Sequence, residues 1–94
     1  MEFRLLHDYI LKIEPEKEKP SRVRIIVKQL GKELICRKDG INPLLDFVYG
    51  GDDRLIKGKL QISKTKSAIS IYMNGNIIGT IEARTFLDGL NKLL

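Results

Sequence analysis

Between Arg54 and Ala83 the chain alternates apolar and polar residues so regularly that few folds remain open to it. From Ile56 the positions Ile56, Gly58, Leu60 and Ile62 are apolar or small, and Lys57, Lys59, Gln61 and Ser63 fall between them. Side chains on a strand repeat with period two, so this pattern buries one face and wets the other. After Lys64-Thr65-Lys66-Ser67, read as a polar turn, it resumes with Ile69, Ile71 and Met73. It reverses near Asn74-Gly75-Asn76 and returns through Ile77, Gly79 and Ile81. The stretch reads as three consecutive antiparallel strands followed by a helix. A two-residue Asn74-Gly75 loop would pair Met73 with Asn76 and Ile71 with Ile78, mixing both faces. A three-residue loop pairs Met73 with Ile77, Ile71 with Gly79 and Ile69 with Ile81, and keeps one face apolar. Burial specifies register, so the three-residue loop is expected.

The remaining segments extend this plan. Phe3 to Glu14 fits a strand, with Phe3, Leu5, Tyr9, Leu11 and Ile13 on one face, although a helical stripe can also be drawn through it. Glu14 to Ser21 is charged, holds two prolines, and reads as a loop. Arg22 to Arg37 reads as a hairpin turning at Gly31-Lys32, closed by Lys38-Asp39-Gly40. Asn42 is expected to cap a short helix with Pro43 as its first residue, Leu44, Leu45, Phe47 and Val48 as its apolar surface, and Gly50-Gly51 as its stop. Thr85 is the expected cap of the last helix, with Asp88 three residues on. Its stripe of Phe86, Leu87, Leu90, Leu93 and Leu94 should cover Leu60, Ile62, Ile69, Ile71, Ile77 and Ile81. The fold class is therefore α+β: an antiparallel sheet built from hairpins, with a short middle helix and a C-terminal helix packed on one sheet face.

Ninety-four residues make a single small domain. Size scaling buries roughly 65% of the unfolded chain's surface, enough for one core without a metal or disulfide staple. No apolar run has the length of a membrane span, and Met-Glu-Phe-Arg does not start a signal peptide. Cys36, the only cysteine, cannot form an internal disulfide, which fits an intracellular, cytoplasmic setting. The net charge of +5 and isoelectric point near 9.5 favour polyanionic partners.

If the helices cover one sheet face, the residues out of phase with the core line the other. Those are Arg22, Arg24 and Lys28 on the first hairpin and Lys57 and Lys59 on the central strand, all read as phosphate contacts. Lys64 and Lys66 are auxiliary contacts at a turn, and Tyr72 is a ring on which a base can stack. A flat sheet and the lack of a recognition-helix motif favour single-stranded DNA or RNA over duplex. The bland reading of the same residues is a solvated face whose cations deter aggregation. In its inferred order of elements, several hairpins and then a C-terminal helix, the chain resembles the transcriptional-coactivator and plant Whirly class of single-strand binders. The resemblance extends to that order and to no sequence motif.

Catalysis is not expected. His7 is the only histidine, no Cys-His metal spacing exists, and no lysine-bearing phosphate loop is present, so neither cofactor nor metal is anticipated. Cys36 reads as a small core residue, and a Cys36/His7 nucleophile pair requires the fold to unite them. Tyr49-Gly50-Gly51-Asp52-Asp53 superficially resembles a polymerase turn but carries an extra glycine, and reads as a helix stop. The alternative to nucleic-acid binding is a protein-interaction module: an inhibitor, chaperone or small adaptor. Such a module could be a homodimer joined through a sheet edge. Surface positions for Ile26 and Ile78 would serve such an interface. No membrane partner is expected.

Overall fold

The computed structural model describes residues 1–19, 21–50 and 54–93, with the backbone alone for 54–57. The element order is β1 (Glu2–Arg4), a 3-10 turn (Leu6–Asp8), β2 (Tyr9–Pro15), β3 (Arg22–Gln29), β4 (Lys32–Gly40), α1 (Ile41–Tyr49), β5 (Arg54–Lys57), β6 (Leu60–Thr65), β7 (Ala68–Met73), β8 (Asn76–Glu82) and α2 (Ala83–Asn91). Two antiparallel sheets result, β1-β2-β3-β4 and β5-β6-β7-β8, in which every neighbour is also next in sequence. The α+β class with a middle and a C-terminal helix holds. The two halves of the chain do not share one sheet.

Several local expectations change. Phe3 to Glu14 is two strands rather than one, because His7 and Asp8 take left-handed backbone (φ 52° and 64°) and fold β1 back on β2, with Phe3 opposite Leu11. The first hairpin turns at Leu30-Gly31 instead of Gly31-Lys32, and β4 runs on to Gly40 where a turn was expected. The alternating run from Ile56 is interrupted at Gly58, whose φ of 64° makes Gly58-Lys59 a two-residue turn between β5 and β6. At the other end, β6 continues through Thr65, so only Lys66-Ser67 turns.

The β7–β8 hairpin resolves the two candidate loops in an unexpected way. Asn74 and Gly75 both have positive φ (53° and 83°) and Met73 pairs with Asn76, as a type I′ turn requires. The ladder then shifts between Ile71 and Tyr72, so that Ile71 faces Gly79 and Ile69 faces Ile81. One extra residue, Ile78, is accommodated as a bulge. Burial thus chooses the register beyond the bulge while turn chemistry chooses the loop. The cost falls on Ile77, expected in the core but 48% exposed, whereas Ile78 is buried.

Neither helix starts where a side-chain cap was expected. Gly40 precedes α1 and Glu82 precedes α2, and neither makes a side-chain cap hydrogen bond. Asn42 and Thr85 lie inside the first turns instead. Pro43 is tolerated there because first-turn N–H groups have no intrahelical acceptor. The buried Ile41 side chain and the Ile41 N–H to Ser21 carbonyl bond (3.0 Å) pull the α1 start back to the end of β4. Gly50 ends α1 in left-handed conformation (φ 111°), as expected; Gly51, Asp52 and Asp53 lie outside the described residues.

One core unites both sheets and both helices. Leu11, Ile13, Val23, Ile25 and Val27 come from the first sheet and Leu60, Ile62, Ile69 and Ile71 from the second. Leu44 and Phe47 come from α1, and Phe86 and Leu90 from α2. Phe3 stacks on Phe86 with ring centroids 5.8 Å apart, tying β1 to α2. The sheets also meet along a flank: a Cβ at Gly79 would lie 2.6 Å from Leu5 Cδ2, so Leu5 packs directly on the β8 backbone. Gly89 gives room to the Met1 side chain in the same manner.

Candidate polyanion interface

On the first sheet the outward rows follow from register. Lys12, Ile26 and Cys36 form one row across β2, β3 and β4, and Glu14, Arg24 and Lys38 form the next. Cross-strand neighbours stand close enough for side chains to pair. Arg24 Nη1 donates to Glu14 Oε1 at 3.1 Å and Nη2 to Cys36 Sγ at 3.5 Å, and Glu33 lies 4.0 Å away. Lys12 pairs with Glu14 (3.4 Å), Lys38 with Glu16 (3.3 Å), and Arg22 approaches Glu16 at 4.0 Å. The Arg24 pKa is raised, first by its hydrogen bond to Cys36 and then by the charges of Cys36, Glu14 and Glu33.

Two of the three cations assigned to phosphate on this face are therefore already matched by carboxylates. Half-exposed pairs of this kind add little stability, but they cancel much of the field a phosphate would feel. Lys28 makes no ion pair among the described residues. Ile26, expected at the surface, is 3% exposed, although it points away from the main core. Long charged side chains lay their apolar stems over such a residue while their heads stay in water.

The second sheet places its expected residues in different surroundings. Lys57 pairs with Leu60 through the backbone, and its side chain lies outside the described residues. Lys59 is exposed in the β5–β6 turn, where its carbonyl accepts the Asn74 N–H at 2.9 Å. Lys64, expected in a turn, is opposite Ile69 on the core side of β6. Its Nζ donates to the Val48 carbonyl at 2.7 Å, placing a cation on the open C-terminal end of α1. Lys66 is exposed at the β6–β7 turn. Tyr72 is half-buried on the outer face beside Gln61 and Ile77, and not beside Ile78. Gln61, Ser63, Ser70 and Thr80 share that face, so the ring stands among neutral groups. The seven expected residues whose side chains are described do not form one platform.

A different group of cations does come together. Lys64, Lys66 and Arg84 line one cleft of about 440 Å³ with Val48, Ala83, Leu87 and Asp88. The β7–β8 register brings it about: Ala68 faces Glu82, and the Ala83 N–H reaches the Ser67 carbonyl at 2.7 Å, so the start of α2 abuts the β6–β7 turn. Lys66 and Arg84 make no ion pair among the described residues, and Asp88 is the single carboxylate of the cleft. Sequence reading missed Arg84. The signal was present in the expected pairing of Ile69 with Ile81, which carries Ser67 to Ala83.

His7 and Cys36 are not brought together as a nucleophile pair: His7 sits at the β1–β2 connection beside Gln29, and Cys36 is exposed on β4 against Arg24. No group of three metal-ligating side chains exists among the described residues, and no described helix is long and apolar enough to cross a membrane. Comparison with known proteins finds no matching family model, no matching curated protein and no matching solved structure.

Proposed function

We propose that the chain is a small non-enzymatic domain that binds a polyanion, best a single strand of DNA or RNA, through Lys64, Lys66 and Arg84. The observation carrying this reading is the contrast in charge matching. Arg22 and Arg24 are held by glutamates, whereas the cleft cations face a single carboxylate that pairs with none of them. Lys66 and Arg84, which make no ion pair among the described residues, keep their field for an external phosphate, while Lys64 is held on the Val48 carbonyl at the cleft wall. Lys59, which makes no ion pair among the described residues, adds a further charge along the second sheet from Tyr72, where a base could stack.

The test is fluorescence anisotropy with labelled single-stranded and duplex oligonucleotides across a salt series. Single-strand affinity should fall with a log–log slope of about −2 to −3, for three or four neutralised phosphates. Lys66→Glu/Arg84→Glu should abolish it and Arg22→Glu/Arg24→Glu should leave most of it. Loss in the second variant alone would return the site to the first sheet. No binding at low salt would end the reading.

A protein-interaction module is the second reading. It is favoured by the neutral outer face of the second sheet, where exposed Ile77 stands beside Tyr72. Salt-insensitive self-association in sedimentation velocity, lost in Ile77→Lys, would support it over the polyanion.

A further inference from the structure

We infer that the chain carries a second contact surface, a pair of apolar turn tips that rest on an anionic bilayer. Leu30 is the first of the two residues turning β3 into β4, with φ at 50°, followed by Gly31 at 82°. Such turns favour Asn-Gly, because left-handed backbone crowds the Cβ of a larger residue. Burial does not offset the strain at Leu30, which is 81% exposed. Alongside lies the 3-10 turn, where Leu6 is 52% exposed and His7 and Asp8 are left-handed in their turn. Gln29 Nε2 donates to the His7 carbonyl at 3.0 Å and holds the two turns together. Leu30, Tyr9, Ile10, Asp8 and Arg4 line the shallow cleft between them.

Cations flank the leucines. Register aligns Arg4, Ile10 and Lys28 across three strands, and Lys32 closes the turn. None of the three makes an ion pair among the described residues. Glu33, opposite Lys28 and 4.0 Å from Arg24, and Asp8 are the carboxylates that face these cations. Projecting tips need a medium that closes around them, as a fluid bilayer does; a protein would need a matched pocket. Adjacent cations and the net charge of +5 select anionic headgroups. That no described helix is long and apolar enough to span a membrane is no obstacle, since a surface contact requires none.

The test is flotation with vesicles of phosphatidylcholine alone and of phosphatidylcholine with phosphatidylserine. The intact protein should float with the anionic vesicles only. Leu6→Ser/Leu30→Asn and Lys28→Glu/Lys32→Glu should each lower partitioning about tenfold. Leu30→Asn alone should melt at or above the parent temperature, because asparagine accepts the left-handed conformation. The chain has no tryptophan, so Leu30→Trp provides a single indole whose emission should shift to the blue on anionic vesicles. No flotation, an unmoved emission, or full binding by the leucine variant would overturn the inference. Loss of flotation in Lys66→Glu/Arg84→Glu, with the leucine variant unaffected, would assign the contact to the α2 cleft and also overturn it. Vesicle-free self-association removed by the leucine changes, without flotation, would replace it with a protein interface.

Discussion

The outer faces of the two sheets solve the problem of meeting water in opposite ways. The first is a lattice of opposite charges, in which Glu14 and Glu16 each serve two cations and Ile26 is sealed beneath. The second presents Gln61, Ser63, Ser70, Tyr72 and Thr80 among the described residues, with Lys59, Lys64 and Lys66 near the ends of β6. Counting positive residues therefore misjudges the chain: the face richest in arginine has its charge largely matched. Matching on that face is confined to the rows around Glu14 and Glu16; toward the β3–β4 turn Arg4, Lys28 and Lys32 make no ion pair among the described residues, although Glu33 stands opposite Lys28.

Four substitutions break or sharpen this contrast. Phe86→Ala should cost about 3–5 kcal/mol, because Phe86 is fully buried in the core shared by both sheets. Urea unfolding followed by amide exchange should then show both sheets failing in one transition; separate transitions would mean that they differ inside as well as outside. Ile26→Ala should cost about 2 kcal/mol in the same assay. A cost near zero would show the first outer face to be plain solvated surface, with no apolar layer under its charges. Gly79→Ala should cost about 1–2 kcal/mol, since the new methyl must displace Leu5 from β8. An unchanged stability would mean that this flank is loose. Glu14→Gln is the smallest, about 0.5 kcal/mol at low salt and nothing at high salt, as befits a half-exposed pair. Its sharper effect is on ligand: freeing Arg24 should steepen the salt dependence of anion binding, and no change in slope would show Glu14 not to matter there.

The parts legible in the sequence were those with local causes. Alternation gave most buried positions of β2, β3, β6 and β7, and Gly50 its helix end, whereas the three-residue loop expected at Asn74-Gly75-Asn76 is a two-residue turn. What escaped reading depended on partners far along the chain. Adjacent Leu55 and Ile56 supply an apolar residue to either parity, so the alternation runs through Gly58 whether the chain continues or turns. The Ile78 bulge reconciles two requirements, turn type and burial, that looked exclusive when taken one at a time. The pairing of Arg24 with Glu14 depends on the β2–β3 register across a charged loop whose geometry no local pattern states. Cap residues misled because Ile41 is anchored by tertiary packing, which outweighs the preference of Asn42 for the cap.

The stack of Phe3 on Phe86 spans nearly the whole chain. On a ribosome delivering roughly 5–20 residues per second, β1 to β4 emerge seconds before α2 exists. The first sheet can pair entirely with itself in that interval, since all its partners are sequential. Its inner row of Leu11, Ile13, Val23, Ile25 and Val27 has no lid until the second sheet and α2 arrive. Until then the half-built sheet has one face that water already wets, the charged rows of Glu14, Arg24 and Lys38, and one that waits for its cover.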